Sequence, residues 1–298
     1  MDKFANWNKS LERGNAREHS IDLQIIGGRE SRYAWYDSML ARWRVPCETL
    51  HVPTRHGDTF VIVSGKESAA SLILLHGAGS NSMMWIQDVV EYNRWYRVYA
   101  IDLLGEPGKS APNRPTWSSP VYAEWLEDVL DTFEIRKTTL IGFSQGGWSA
   151  LKFAVNHSER VQNLVLLSPG GIVPDKLSFV FQALPLSLLG RWGMRRINRM
   201  IVGDHAMSEE VDDALTMIMM HFKPRVGALP IFTDDELRRL TMPVLLMMGA
   251  KDTLRDAEKI VARMKEHVPH LTAIVIPNGG HALLNTPEQI LPFLTQST

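Results

Sequence analysis

The chain has 298 residues, with 32 Lys+Arg against 33 Asp+Glu and a formal net charge of −1. No basic excess is available to collect phosphates, which argues against a nucleic-acid binder held by bulk charge. A single cysteine excludes an intramolecular disulfide and a multi-cysteine zinc site, and the length suits one large α/β domain with room for an insertion.

Residues 1–48 read as an N-terminal extension. It is polar to about Ser31 and has no apolar core of signal-peptide length. Nowhere do about 18 apolar residues run without charge, so no membrane span is predicted and the expected address is the cytoplasm. Tyr33, Tyr36, Met39, Leu40 and Trp43 recur at helical spacing and predict an amphipathic helix on the domain surface, ended by Pro46. Thr49–Thr54 and Thr59–Ser64, around His56-Gly57-Asp58, predict a hairpin.

From residue 71 strands and helices alternate. Short apolar runs at Ser71–Leu75, Val98–Ile101, Thr138–Ile141, Val161–Leu167, Val244–Met248 and Ala273–Ile276 read as strands of a sheet covered on both faces. Ser119-Pro120 reads as a cap followed by a first-turn proline, ahead of the stripe Val121, Tyr122, Trp125, Leu126, Val129, Leu130 and Phe133. Thr286-Pro287-Glu288-Gln289 repeats that logic with a capping-box glutamine. The alternation predicts a doubly wound, mostly parallel sheet.

Residues 170–240 break the rhythm. They show helical periodicity without a strand and hold Met194, Met200, Met207, Met217, Met219 and Met220. Thr233-Asp234-Asp235-Glu236 then has the form of a capping box for a returning helix. The segment reads as a helical cap inserted after the sixth strand, a lid whose methionines line an apolar pocket. The remaining 49–169 and 241–298 form the core.

The strongest chemical signal is Gly142-Phe143-Ser144-Gln145-Gly146, between a strand and a helix. A serine on so sharp a turn projects its hydroxyl, and glycines two residues either side remove side chains that would clash. The helix beyond aims free N–H groups at the same spot. Such a serine needs a base oriented by an acid, in the chain order Ser, Asp, His. Asp252 and His281 each follow a predicted strand and fall on the same rim as Ser144, so the candidate catalytic residues are Ser144, Asp252 and His281. Asp256 and Glu258 are fallback acids within the next predicted helix.

His76-Gly77-Ala78-Gly79 follows the first strong strand, and its glycines let a backbone N–H point at a substrate oxygen. The oxyanion hole is assigned to the N–H groups of Ala78 and Gln145. The competing reading is a dinucleotide-binding turn with Asp102 as ribose acid. It lacks its third glycine, because position 82 is Ser, and it leaves Ser144, Asp252 and His281 idle.

The order of strand, His76-Gly77-Ala78-Gly79, Asp102-Leu103-Leu104-Gly105, serine elbow, late Asp and terminal His resembles the α/β-hydrolase superfamily over residues 49–298. Ser82-Met83-Met84-Trp85, Phe232–Leu237 and the helix around Trp35–Trp43 resemble its Bacillus carboxylesterase NP branch. The chain departs from the superfamily pattern at Glu106-Pro107-Gly108-Lys109-Ser110, where a tighter glycine turn is common.

Gly77, Trp85, Phe143 and Met217 are the candidate substrate-contacting residues. No histidine pattern suits a metal; His51 and His56 with Asp58 read as a polar hairpin, and Arg191, Arg195, Arg196 and Arg199 as a solvated helical face. The expected function is a serine hydrolase that cleaves carboxylic esters of small, largely apolar substrates through an acyl-enzyme, with no cofactor and no nucleic-acid partner. A C–C bond hydrolase, a perhydrolase with the same triad and a small-molecule receptor are the alternatives. Oligomeric state is not written in any of these features.

Overall fold

A computed structural model describes residues 28–202, 209–223, 225, 227–283 and 285–296. Residues 1–27 and Met207 lie outside the described residues, so the expectations for them stop at the sequence. The strands are β1 (Cys47–Val52), β2 (Thr59–Ser64), β3 (Ala70–Leu75), β4 (Tyr96–Ile101), β5 (Thr138–Phe143), β6 (Val161–Leu167), β7 (Val244–Gly249) and β8 (Leu271–Ile276). They form one sheet in the order β1-β2-β4-β3-β5-β6-β7-β8. The pairs β1–β2 and β2–β4 are antiparallel and every later pair is parallel.

The helices are α1 (Gly28–Leu40), α2 (Val89–Tyr92), α3 (Val121–Thr132), α4 (Gln145–Asn156), α5 (Leu177–Ser187), α6 (Gly190–Val202), α7 (Glu209–His221), α8 (Asp234–Arg238), α9 (Ala257–His267) and α10 (Pro287–Gln296). Successive strand side chains alternate between two cores. Ile73 and Leu75 of β3 join Trp125 of α3, Phe153 of α4 and Ile260 of α9. Leu72 and Leu74 join Tyr36 of α1, Tyr92 of α2 and Ile290 of α10 on the other face. Covering both faces is why the inner strands carry unbroken apolar runs at Leu72–Leu75, Val98–Ile101, Leu164–Leu167 and Val244–Met248, whereas β8, expected to be covered on both faces, lies at the sheet edge and is part-exposed. Between β6 and β7 the described residues form α5 to α8 and no strand.

Local caps differ from expectation in three places. Helix α1 stops at Leu40, and Trp43 lies beyond it in a turn closed by Trp43 N–H to Leu40 O at 3.0 Å, before Pro46 is reached. The Ser119 hydroxyl donates to Thr116 O at 2.6 Å instead of capping α3, whose cap position is Pro120 itself. The Thr286 hydroxyl turns to Asp88 Oδ2 at 3.5 Å, and the buried Gln289 Oε1 has no partner, so no capping box forms there. At Thr233 the box does form: its Oγ1 accepts from Glu236 N–H while Glu236 accepts from Thr233 N–H.

Asp88 at the start of α2 faces this α10 junction. Burial pushes its carboxyl up to about 6, with the Thr286 hydrogen bond opposing. A raised carboxyl pKa means that the neutral form favours the fold. That contribution is complete below the unfolded value near 4 and is lost as pH rises through about 6. Asp88→Asn therefore raises the melting temperature at pH 7.5 by about 2–6 °C, following ~1–3 kcal/mol, and by much less at pH 4.5. Thermal melts of both proteins at the two pH values check this; an equal shift at both pH values contradicts it.

Candidate active site

Ser144 sits between β5 and α4 with φ 51° and ψ −108°, a left-handed backbone that a non-glycine residue adopts only when held there. Its N–H donates to Leu167 O on β6 at 2.9 Å, and its own C=O accepts from Trp148 N–H at 3.0 Å and Gly170 N–H at 3.2 Å. The flanking glycines are sterically required. A Cβ on Gly142 would lie 2.4 Å from Gly146 O, and one on Gly146 would lie 2.2 Å from Leu75 O. Gly147 brings α4 against Pro169, with 3.0 Å available to a Cβ.

The structure brings Ser144, His281 and Asp252 together across 137 residues of chain. His281 Nε2 lies 3.0 Å from Ser144 Oγ, and Nδ1 lies 2.8 Å from Asp252 Oδ2. All three are buried, at 7%, 3% and 2% exposure for Ser144, His281 and Asp252. The other oxygen of Asp252 accepts from Leu254 N–H at 2.8 Å and Arg255 N–H at 2.9 Å. Burial raises the Asp252 pKa, but the hydrogen bond and charge of His281 and these two N–H groups outweigh it and hold the carboxyl below the usual aspartate value. Of the fallback acids, Asp256 caps α9 by accepting from Lys259 N–H at 3.2 Å, and Glu258 lies in that helix.

The loops after β7 and β8 lie against each other at Gly249, where a Cβ would meet Gly280 O at 2.1 Å. They are also tied to the inserted helices. His281 N–H and Ala282 N–H donate to Ile201 O at 3.0 and 3.1 Å, and the Thr253 hydroxyl donates to Met200 O at 2.8 Å. At the start of α5, Lys176 Nζ donates to Asp252 O at 2.8 Å.

The turn after β3 approaches the serine. A Cβ on Gly77 would lie 2.7 Å from the Phe143 ring and 3.5 Å from Ser144 Cβ. His76 is fully buried, its Nδ1 2.8 Å from Gly77 O and its Nε2 accepting from Leu103 N–H at 2.9 Å. Those two contacts fix one neutral tautomer, and burial lowers its pKa. Among the described residues, the N–H groups of Ala78 and Gln145 donate to no protein acceptor, whereas Gly79 N–H donates to Glu106 Oε2 at 2.7 Å.

Glu106 is the site residue that sequence reasoning missed. Its other oxygen accepts from Gln145 Nε2 at 3.1 Å, so one carboxylate joins the turn after β3 to the first residue of α4. Burial pushes its pKa above the usual glutamate value, against the hydrogen bonds from Gly79 and Gln145 and the charges of Arg114 and Arg225. The departure from the superfamily pattern at Glu106–Ser110 was the available signal. Asp102 builds that loop: it is fully buried and accepts from Ser82 N–H and Lys109 N–H, both at 2.8 Å, so it is unavailable to a ribose.

The expected substrate contacts divide. Gly77 and Phe143 are at the serine, the Phe143 ring centroid lying 5.2 Å from that of His281. Trp85 is not at an open pocket; it is 1% exposed in the core beside Met83 and Tyr92. Met217 is half-buried on α7, and it is Met219 whose sulfur comes within 3.6 Å of a Cβ placed on Gly79. His51 pairs with Asp58 at 2.6 Å and His56 with Glu124 at 2.7 Å, while Arg191 and Arg195 pair with Asp213. Among the described residues no group of three or more His, Cys, Asp or Glu could hold a metal.

Comparison with known proteins gives the same outline. The model of the alpha/beta hydrolase family matches residues 72–292. An "uncharacterized carboxylesterase nap" of Bacillus subtilis (strain 168) is 33% identical over 94% of this chain and 98% of its own length. Carboxylesterase YbfK of the same organism is 32% identical over 87% of this chain and 90% of its own length. The crystal structure of naproxen esterase (carboxylesterase NP) from Bacillus subtilis superposes with a TM-score of 0.81 at 31% identity, covering 91% of this chain and 99% of that one.

The steric demand at the serine turn gives a direct test. Gly146→Ala forces a Cβ onto the Leu75 carbonyl and is expected to cost about 3 kcal/mol or more of stability. Gly147→Ala meets a gap of 3.0 Å and costs less than half as much. Denaturant unfolding of the two variants checks the ranking.

Proposed function

The chain belongs to the alpha/beta hydrolase family, and from that premise we propose that it is a carboxylic ester hydrolase working through Ser144, His281 and Asp252. The observation that carries this reading is the continuous contact from Asp252 to His281 at 2.8 Å and from His281 to Ser144 at 3.0 Å. With Nδ1–H donating to Asp252, Nε2 is left as an acceptor for the serine proton. Ser144 Oγ attacks the ester carbonyl as His281 takes that proton; His281 then returns it to the leaving alkoxide. Water, deprotonated by His281, releases the acyl group by the same route. Asp252, kept ionised, holds the imidazole in this tautomer and stabilises its charged form.

The N–H groups of Ala78 and Gln145 bind the tetrahedral oxyanion, the second of them at the N-terminus of α4 where the helix dipole adds to it. Glu106 is a positioning residue, because it ties the turn that carries one donor to the helix that carries the other. Residues 170–240 act as the cap over the core of 49–169 and 241–298. Phe143 and Met219 give the acyl site an apolar wall, which supports small, largely apolar esters as substrates.

Hydrolysis of a chain-length series of nitrophenyl esters tests the assignment. Ser144→Ala is expected to lower kcat/KM by about 10⁴-fold or more and to abolish labelling by a phosphonate, and Asp252→Asn to lower kcat by about 10⁴-fold with the fold intact. Wild-type protein that is neither labelled nor faster than Ser144→Ala on any ester contradicts the reading. Glu106→Gln sets an amide N–H against one of two donors. It is expected to lower kcat by about 10–100-fold with little change in KM, since misplaced donors weaken the transition state more than the bound ester.

A further inference from the structure

The inserted helices carry a surface that the hydrolytic reading does not use. Residues 177–190 contain no charged side chain, and 177–202 contain neither Asp nor Glu. Leu177, Phe181, Leu184 and Leu188 recur at spacings of four, three and four on one side of α5 and at its end, so they form one row. That row points to solvent, with Phe181 75% and Leu188 81% exposed. On α6 the same spacing produces a second exposed row, Trp192, Arg196 and Arg199. The two helices lie in contact at Gly193, whose place a side chain could not take without striking Leu186 O. Arg191 and Arg195 are compensated by Asp213, but Arg196 and Arg199 have no ion-pair partner among the described residues.

We propose that the solvent face of the α5–α6 hairpin docks on an anionic lipid surface. An uncharged apolar row, an exposed tryptophan beside it and the exposed Arg196 and Arg199 on the flank match the acyl, interfacial and phosphate zones of such a surface in turn. Charge argues against a second copy of the chain as occupant. Two such faces brought together would oppose cations to cations, with no acidic residue in 177–202 to compensate. No helix among the described residues is long and apolar enough to cross a membrane, so the contact is lateral, with the hairpin lying on the surface.

The hairpin is also joined at both ends to the loops of the proposed acid and base, through Lys176 to Asp252 O and through Ile201 O to His281 N–H. Docking therefore sets the triad next to the lipid. Esters dissolved in that surface become its substrates, a consequence that rests on the hydrolase reading although the docking does not.

Sedimentation of Ser144→Ala protein with vesicles separates the two. In about 0.1 M salt, the protein is expected to bind vesicles of equal phosphatidylglycerol and phosphatidylcholine at least fivefold more tightly than phosphatidylcholine alone. Phe181→Ser with Leu184→Ser, and Arg196→Glu with Arg199→Glu, should each weaken that binding about tenfold, with melting temperature and hydrolysis of a monomeric ester unchanged. No binding to the anionic vesicles, or binding unaffected by either pair, overturns the proposal. So does a dimer, seen by sedimentation velocity without lipid, that the Phe181 and Leu184 substitutions dissociate. If vesicles bind but wild-type protein hydrolyses neither monomeric nor vesicle-borne ester, the hydrolase reading fails and the docking stands.

Discussion

The backbone of Ser144 is held in a conformation that costs about 1–3 kcal/mol, and the rest of the site is arranged around what keeps it there. Three hydrogen bonds from β6, α4 and the loop after β6 fix both its N–H and its C=O. The close approach of Gly142 and Gly146 to neighbouring carbonyls leaves the chain no room to relax. Because Gly146 sits against the end of β3, the turn that follows β3 is forced alongside the serine. One strained residue thus places the candidate nucleophile and brings its candidate oxyanion donors within reach, before any substrate is bound.

The candidate donors are then locked by groups outside the proposed triad. His76 spans from Gly77 O to Leu103 N–H and fixes the exit of β3 relative to the exit of β4. Glu106 spans from Gly79 N–H to Gln145 Nε2 and closes the remaining gap to α4. A buried carboxylate beside a developing oxyanion is electrostatically unfavourable in isolation. Two hydrogen bonds and the nearby guanidinium groups of Arg114 and Arg225 offset this without removing it. The arrangement favours rigidity over electrostatic economy.

Most of the fold was legible in the sequence because strands buried on both faces must be apolar at every position. That Ser144, Asp252 and His281 share one rim was legible because each lies just past the end of a strand, one, three and five residues beyond β5, β7 and β8. What failed depended on side-chain direction, which spacing does not encode. Ser119 and Thr286 have the residue types of caps, yet their hydroxyls find Thr116 O and Asp88 instead. Met219, two residues from the predicted Met217, faces Gly79 because its side of α7 is set by how that helix packs on α6 and α1. Trp85 follows the right strand but turns into the core. Glu106 was hidden for a simpler reason: a glutamate in a loop looks solvated until the fold closes around it.

The hydrogen bonds that join α6 to the triad loops have one further property. On the α6 side both acceptors are main-chain carbonyls, Met200 O and Ile201 O. Any residue type supplies a carbonyl, so the anchor of the histidine loop is indifferent to which side chains α5 and α6 present. Mutational drift across the hairpin can therefore rewrite what α5 and α6 present to solvent while the contacts among Asp252, His281 and Ser144 stay in register. The proposed docking surface and the candidate triad are tied through main chain alone and are still free to evolve separately.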